Sequence, residues 1–332
     1  MSIPYLTVGI VFRNEEKKIL RCLSSLQFLR LEFPDLQLIL VDNASTDRSG
    51  ELAQDFLQRE KYSFEIIRRE KNHMAEARND VVSRAKNSYL YFMDADCEQL
   101  PSTWTELKKI VEAHPTYAAW GGAAEFPQEN DFQKALNDFR KFFWGHFGSA
   151  QMMQGGESRD VEHLSTMHVL YKVSALQEVG GFDSRLAQSA EDLDLSLRLR
   201  VRGFRMRFAP ASRVLHSQFS NAQEWASKAF RNGIWQTRLL AYNPQIIKTS
   251  RPWPGLVSLW FFPFWIHLFT LYLFLIAGFS MAQVERSWDE RVRLLQVSVL
   301  THLAYGVGEV FGIFLAIRDK AKWLMEPAST KK

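Results

Sequence analysis

Short apolar runs alternate with helical segments through the first third of the chain, and this alternation restricts the fold more than any other feature. The runs LTVGIVF, LQLILV, FEIIR and YLYFM are rich in β-branched and aromatic residues and predict strands. Apolar stripes and capping residues predict a helix after each of them, the last over Thr103–Ala113. Nearly continuous apolar strands suit a parallel sheet covered on both faces. We therefore predict an α/β domain with a Rossmann-like, doubly wound, mostly parallel sheet.

Acidic residues follow three of these strands at the point where each strand ends. Strand one runs into Glu15, strand two into Asp42, and strand four into Asp94 and Asp96. In doubly wound sheets, ligands bind beyond the carboxyl ends of the strands. The sequence contains neither GxGxxG after strand one nor GxxxxGK[ST], so it does not support dinucleotide or P-loop chemistry.

The DAD sequence after strand four predicts a metal site. Asp94 and Asp96 offer the oxygen ligands that a hard cation demands. A divalent ion there would bridge diphosphate oxygens and stabilise the charge on a departing nucleotide. The alternative is an acidic turn that caps the next helix, but the position after the fourth strand favours Mg²⁺ or Mn²⁺. His216, at the end of a later apolar run, is either a further metal ligand or a structural histidine.

Two residues are candidates for binding a nucleotide. The Asp42 carboxylate can accept hydrogen bonds from an imide N–H or a ribose hydroxyl. Arg78, on the third predicted helix, can pair with phosphate or stack on a base, unless it is a solvated arginine of the helix face. Asp47, five residues after Asp42, is better explained as a helix cap.

A third acidic cluster begins at Glu191 and Asp192 and continues into a leucine-rich helical stripe. One interpretation is an acidic first turn that complements the helix dipole. The functional interpretation is that Asp192 removes a proton from an acceptor hydroxyl, a role that contributes about 10² to 10⁴ in rate.

The composition changes sharply near residue 250. Leu256–Phe279 carries no charge, and about 24 residues at 1.5 Å each cross a hydrocarbon core of about 30 Å. Leu294–Ile317 is also apolar but contains Gln296, His302 and Glu309, so it is either a second transmembrane helix or a buried amphipathic helix. We predict a catalytic domain over 1–220, an amphipathic interfacial linker over 221–253, and a membrane region with a transmembrane helical hairpin over 254–332.

Charge and cysteine content suggest the compartment. Lysines and arginines flank both apolar segments, which favours a hairpin with both termini in the cytoplasm. Cys22 and Cys97 lie in no zinc-like or CxxC pattern, as expected of a reduced, cytosol-facing domain. The N-terminus lacks the pattern of a signal peptide. A net charge of +4 does not indicate a nucleic-acid partner. The aromatic segment 139–147 is either an interfacial helix or ordinary core.

These motifs together resemble the inverting glycosyltransferases of family 2, over roughly residues 4–220. The similar motifs are TVGIVFRNEE, VDNASTD, AEARN, DADC, VGGFD and AEDLDLSLRLRVRGFR, in that order. The resemblance implies a GT-A fold. It assigns Asp42, Arg78 and Glu15 to the nucleotide-sugar, Asp94 and Asp96 to the metal and diphosphate, and Asp192 to the role of base. Glu191 and Gly181 would support the acceptor or the loop.

The C-terminal part adds a narrower resemblance. THLAYGVGEVFG is similar to a segment of integral-membrane members of succinoglycan-type exopolysaccharide assembly, in which the acceptor is a polyprenyl-linked sugar. Met74 stands where many relatives carry glycine, and no QxxRW follows the base helix, which disfavours a processive synthase.

The sequence therefore predicts a membrane-bound transferase, a hexosyl- or N-acetylhexosaminyltransferase. It would use a nucleotide-sugar, with UDP the expected nucleotide, and a lipid-linked saccharide acceptor at the inner face of the cell membrane. Two alternatives remain: a transferase that loads sugar onto polyprenyl phosphate, and a catalytically inactive membrane scaffold.

Overall fold

The computed structural model describes residues 3–141, 149–152, 155–243 and 265–325, and the chain divides into two units. The first unit is Met1–Pro127 with Gly148–Gln218, and the second is Gln128–Phe147 with Phe219–Lys332. The first unit contains the α/β sheet with the motifs singled out above, and the second is helical.

The first four strands form a parallel block, as the sequence predicts. They are β1 (Thr7–Phe12), β2 (Gln37–Asn43), β3 (Phe64–Arg69) and β4 (Tyr89–Met93), in the spatial order β3-β2-β1-β4. Phe12, Asp42 and Arg68 lie side by side at their carboxyl ends. The parallel block therefore brings the ends of β1 and β2 to one edge of the sheet.

The second half of the sheet is mixed. Its strands are β5 (Cys97–Gln99), β6 (Ala119–Glu125), β7 (Arg159–Val161), β8 (His168–Lys172) and β9 (Met206–His216). Strand β8 is antiparallel to β4 and β6, whereas β6 and β9 are parallel, and β5 and β7 both run antiparallel to β9. The predicted α/β class is confirmed, but the sheet is mixed rather than mostly parallel: among the described residues four strand pairs are parallel and four antiparallel.

Helices cover both faces of this sheet. In the first unit they are α1 (Ile19–Ser25), α2 (Gln27–Glu32), α3 (Ser49–Arg59), α4 (Met74–Arg84), α5 (Thr103–Ala113), α7 (Val173–Glu178) and α8 (Glu191–Val201). Successive strand residues point to opposite faces: Ile10 and Phe12 belong to the core that contains α1, α3 and α5, and Val11 to the core that contains α4, α7 and α8. This alternation explains why β1 and β4 are apolar along almost their whole length.

A buried polar chain ties β4 to the strands of the second half. The Tyr91 hydroxyl lies 2.7 Å from Nδ1 of His168, and Nε2 of His168 lies 2.9 Å from the Ser212 hydroxyl. Burial lowers the pKa of His168 to about 3, so this histidine is neutral at physiological pH. This row of hydrogen-bonded side chains connects β4, which precedes the DAD sequence, with β9, which ends at His216.

The second unit consists of α6 (Asp131–Arg140), α9 (Ala222–Tyr242), α10 (Trp265–Met281) and α11 (Trp288–Met325). Helix α6 packs on α11 through Leu136 and Phe139, which contact Leu294 and Val297. Three ion pairs border this contact: Asp138 with Arg286, Lys134 with Glu290, and Asp131 with Arg293. Helix α6 is thus bonded to residues about 150 positions further along the chain.

Helix α9 runs along α11 at close range. Trp225 Nε1 donates to the Thr301 hydroxyl at 2.6 Å, and Arg238 pairs with Asp319 at 2.7 Å. A Cβ added at Gly308 would meet the backbone carbonyl of Phe230. The two helix backbones therefore approach too closely at this point for a larger residue.

Among the described residues, one helix is long and apolar enough to cross a membrane, over Trp288–Lys320. It contains the second predicted segment. The first predicted segment, Leu256–Phe279, lies partly outside the described residues, as do residues 142–147 of the aromatic segment. The hairpin therefore stays a prediction. Large apolar side chains on α11 are exposed: Leu303, Val307, Phe311, Phe314 and Ile317.

We predict that Gly308→Ala destabilises the second unit, because its Cβ would press on the Phe230 backbone. Overpacking of this kind costs roughly 1–3 kcal/mol. The matched control is Gly306→Ala on the same helix, where an added Cβ meets nothing within 4 Å. Alanine there should be neutral or stabilise the helix by up to about 1 kcal/mol. Thermal unfolding in one detergent compares the variants, and equal midpoints would contradict the close approach.

Candidate active site

The loops after β1 and β2 are bonded to each other. The Asn14 N–H donates to the Ser45 hydroxyl at 3.1 Å, and the Thr46 N–H donates to Oδ1 of Asn14 at 2.8 Å. The Glu15 N–H donates to the Ser49 hydroxyl at 2.7 Å. Because each loop satisfies the other's backbone groups, Glu15 is held beside the start of α3.

Two aspartates belong to the second of these loops. Asp42, the penultimate residue of β2, is buried and accepts a hydrogen bond from the Ser45 N–H at 2.9 Å. Asp47 accepts hydrogen bonds from the N–H groups of Ser49 at 3.0 Å and Glu16 at 3.2 Å. The first bond satisfies the first N–H of α3, whose N-cap residue is Arg48, and the second ties Asp47 to the loop after β1.

The DAD sequence and His216 meet where β4 and β9 end. Oδ1 of Asp96 lies 3.7 Å from Nε2 of His216. Nδ1 of His216 lies 2.8 Å from the Ser217 carbonyl oxygen, so Nδ1 carries the proton and donates it. Nε2 of His216 therefore faces Asp96, and a histidine oriented through its other ring nitrogen in this way is suited to bind a metal.

The donor atoms here suit a divalent cation of the manganese or magnesium type. Ligand atoms of Asp96, Cys97 and His216 lie within 4.8 Å of one another. Burial, reinforced by Asp96 and then Asp94, raises the pKa of the Cys97 thiol well above its usual value. A neutral thiol is a poor ligand, so the effective donors are carboxylate and imidazole.

A lysine that the sequence analysis missed bridges two of these acids. Nζ of Lys18 lies 3.2 Å from the Glu15 carboxylate and 3.9 Å from that of Asp96. Burial, and next the charge of Asp96, raise the pKa of Glu15 to about 7 despite Lys18. Lys18 lies one helical turn after Glu15, and this spacing is the one signal by which it could have been found.

Arg78 is a buried cation at the centre of the site. Its side chain extends from α4, its exposed fraction is 6%, and it pairs with the Glu191 carboxylate. Its second terminal nitrogen lies 3.5 Å from Oδ1 of Asp94. Arg78 is therefore not a solvated arginine of the helix face, and it links the DAD sequence to the start of α8.

Asp192 lies in the first turn of α8, next to Glu191. The helix begins after Ala190, whose φ of 68° is unusual for a residue with a Cβ. The Leu193 N–H donates to Oδ1 of Asp192 at 2.8 Å. The carboxylate is thus oriented by the start of its own helix.

Several groups keep Asp192 ionised. Burial alone would raise its pKa, but His163, Arg78, the Leu193 N–H and Ser165 together lower it below the usual value. Asp192 is therefore in its proton-accepting form at neutral pH. His163 and Ser165 have no recognisable spacing from Asp192 in the sequence, which is why sequence analysis did not single them out.

Backbone strain concentrates at this edge of the sheet. Among the described residues, four other than glycine have a positive φ, and three of them lie in the loops of the site: Asn14, Ala44 and Ala190. Gly181, the predicted loop support, also has a positive φ, of 72°. Such conformations persist where surrounding contacts fix them, and they cluster at functional sites.

The predicted site residues thus form one chain of contacts in the first unit. Arg78 joins Asp94 to Glu191, which precedes Asp192, and Lys18 joins Glu15 to Asp96. Asp42 is connected through the bonded loops of β1 and β2. Acidic groups from β2, β4 and α8 therefore line the carboxyl edge of one sheet.

Comparison with known proteins identifies relatives of this arrangement. The family model described as Glycosyl transferase family 2 matches residues 7–180, more than half of the chain. Glycosyltransferase AglE of Haloferax volcanii is 24% identical over 208 residues, which cover 63% of this chain and 65% of AglE. The chain spans less than two thirds of the length of AglE and of the other leading curated relatives.

Solved structures share the fold at low sequence identity. The mannosyltransferase PcManGT from Pyrobaculum calidifontis, in complex with GDP-Man and Mn²⁺, has a TM-score of 0.56 at 16% identity, over 97% of this chain and 88% of its own. S. aureus TarS 1-349 in complex with UDP has a TM-score of 0.52 at 17% identity, over 92% and 90%.

We predict that Glu191→Ala is strongly destabilising, because it leaves the buried Arg78 without its closest carboxylate. Removing one partner of a buried ion pair costs roughly 3–5 kcal/mol. The matched control is Glu162→Ala, which breaks the exposed pair between Glu162 and Arg200, 3.3 Å apart. That loss should be at most about 1 kcal/mol. Urea unfolding of both variants measures the difference, and similar midpoints would refute the central role of Arg78 in packing.

Proposed function

Because the chain belongs to glycosyl transferase family 2, we propose that it transfers a hexosyl or N-acetylhexosaminyl group from a UDP-sugar to a hydroxyl of a lipid-linked saccharide, with inversion at the anomeric carbon. The observation that carries this proposal is the contact of Arg78 with both Asp94 and Glu191. This contact brings the side chains that are suited to bind a diphosphate next to Asp192, whose carboxylate is suited to act as the base.

In this proposal Asp94, Asp96 and His216 hold Mg²⁺ or Mn²⁺. The ion would neutralise the diphosphate oxygens and the charge that develops on the leaving nucleotide. The Asp96 carboxylate and the His216 imidazole fit such an ion, and the Nδ1–H bond of His216 to Ser217 leaves Nε2 available to it. The Mn²⁺ bound in the similarly folded PcManGT supports the assignment.

Asp42, Glu15 and Arg78 serve the nucleotide-sugar. Asp42 lies near the end of β2, beside Phe12 of β1, and its carboxylate can accept a hydrogen bond from the imide of uracil. Arg78, already directed at Asp94, pairs with a diphosphate oxygen through its planar guanidinium. The UDP complex of the similarly folded TarS supports uridine as the base.

Asp192 performs the proton transfer. The acceptor hydroxyl oxygen attacks the anomeric carbon, its proton passes to the Asp192 carboxylate, and the bond from the anomeric carbon to the diphosphate breaks with its electron pair on the UDP. Because attack and departure occur on opposite sides of the carbon, the configuration inverts. The lowered pKa of Asp192 keeps the carboxylate ready to accept this proton at neutral pH.

The second unit supports a membrane-associated acceptor. Helix α11 is long and apolar enough to cross a membrane, and a stripe from Leu303 to Ile317 exposes large apolar side chains. On a soluble surface such a stripe would be costly, whereas lipid covers it. A catalytic domain held at the membrane meets a polyprenyl-linked saccharide in two dimensions, and both would lie at the cytoplasmic face.

We expect UDP-sugars with Mn²⁺ to raise the melting temperature of the protein. A ligand at 100 times its Kd stabilises the folded state by about 2.7 kcal/mol. A panel of UDP-, GDP- and dTDP-sugars, each with and without Mn²⁺, identifies the donor in a thermal-shift assay. Asp96→Asn should abolish the manganese-dependent part of the shift, whereas Asp35→Asn, in an exposed loop, should not. A shift unaffected by Mn²⁺ and by Asp96→Asn would exclude the metal site.

We predict that Asp192→Asn binds the donor with unchanged affinity but transfers sugar about 10² to 10⁴ times more slowly. The amide keeps the shape of the carboxylate but cannot accept the proton. Turnover is measured with a polyprenyl diphosphate-saccharide in vesicles, and in parallel with polyprenyl phosphate. Unchanged turnover removes Asp192 from the role of base. Transfer to polyprenyl phosphate with a mild Asp192→Asn defect would replace the proposed acceptor, because a phosphate needs little deprotonation.

A further inference from the structure

Asn79, the residue after Arg78 on α4, is bonded to the loop that precedes α8. Its Nδ2 donates to the Phe182 carbonyl oxygen at 2.8 Å, and its Oδ1 accepts from the Phe182 N–H at 2.8 Å. One amide side chain thus pairs with both backbone groups of one residue 103 positions away, as a neighbouring strand would. Such a two-bond contact fixes both the distance and the rotation of the loop.

The residue before Phe182 leaves room for this contact. A Cβ added at Gly181 would lie 2.5 Å from Oδ1 of Asn79, closer than real Cβ atoms come to an oxygen. Gly181 also has a φ of 72°, which favours glycine. The loop therefore approaches Asn79 so closely that any larger residue at 181 must push the two apart.

The bonded loop borders Arg78. The Phe182 ring centre lies 5.8 Å from the Arg78 guanidinium and packs edge to face on Phe92 with ring centres 5.7 Å apart. A further backbone bond, from the Met74 N–H to the Ala187 carbonyl oxygen at 2.6 Å, ties the start of α4 to the same loop. Together with the pair between Arg78 and Glu191, three links connect one side of α4 to residues 182–191.

We propose that Asn79 is a positioning residue that fixes Arg78 and Asp192 relative to each other. This inference rests on the proposed function, because Arg78 serves the donor and Asp192 the acceptor. In this role Asn79 contacts neither donor nor acceptor. It holds the loop in which Phe182 flanks Arg78, and this loop leads into α8, which begins with Glu191 and Asp192. A site that must hold two groups in register across two helices needs such a fixed connection.

Asn79→Ala should lower kcat/KM about 10- to 100-fold, because displacements of about 1 Å in a site cost on the order of 10² in rate. It should also weaken the binding of UDP in the presence of Mn²⁺. A loss of global stability alone would leave UDP affinity unchanged at temperatures far below the melting temperature. The matched control is Asn87→Ala, which removes a hydrogen bond to Thr7 elsewhere in the first unit. That variant should keep both parameters within about threefold.

A double-mutant cycle with Gly181→Ala tests whether the two residues act through one contact. Gly181→Ala alone should show a similar loss, and the double variant should lose at most about threefold more than the worse single variant. If the losses of the two single variants multiply in the double variant, the proposal is wrong. It is also wrong if Asn79→Ala keeps wild-type kcat/KM and UDP affinity, or if Asn87→Ala shows an equal defect. If Asn79→Ala does not fold, Asn79→Ser replaces it in the cycle.

The wild-type protein separates this inference from the proposed function. If the wild type neither binds a UDP-sugar nor transfers sugar, the proposed function fails first. If the wild type is active and the Asn79 and Gly181 variants are equally active, the function stands and the positioning role of Asn79 is wrong.

Discussion

The site depends on one buried cation. Arg78 is almost fully removed from water, and a guanidinium in that position is stable because carboxylates of Glu191 and Asp94 face it. Each of the three residues comes from a different part of the chain: helix α4, the residue after β4 and the start of α8. The ion pairs therefore do more than stabilise the domain, since they determine where the helices that carry the candidate functional groups can lie.

Much of the first unit could be predicted because its signals are local. Strands β1 and β4 and most of β2 are apolar on both faces, and the residues after each strand need only chain order to meet at one edge. The antiparallel strands were harder to predict. The sequence of β6, AWGGAAE, contains too much alanine and glycine to be recognised as a strand. Strand β8 contacts β4 through the buried pair of His168 and Tyr91, which are far apart in the sequence. The contacts of Lys18 with Asp96 and of His163 with Asp192 are tertiary, and no spacing in the sequence reveals them.

The organisation of the second unit shows the same limit. DFQKALNDFR has the periodicity of an amphipathic helix. Its partners Arg286, Glu290 and Arg293 lie about 150 residues further along the chain, and charge complementarity selects them. Helix α9 was expected to be an interfacial linker, and it lies against α11 through small residues and polar bonds. Close backbone contact between helices is a means of association that does not need the hydrophobic effect, and it therefore also operates in lipid.

Electrostatics explains why donor and cation binding should depend on each other. The carboxylates in contact with cations at the sheet edge outnumber those cations by four to two: Glu15, Asp94, Asp96 and Glu191 against Lys18 and Arg78. Burial, and next the negative charge of Asp96, raise the pKa of Glu15 to about 7, so like charges repel one another at this edge. A diphosphate entering this edge meets that repulsion, and the two cations are already engaged by carboxylates. A divalent ion would reverse the local sign, so each ligand would raise the affinity for the other by the same factor. The acidity of the site is thus a reason to expect ordered, cation-dependent donor binding, independent of which sugar the donor carries.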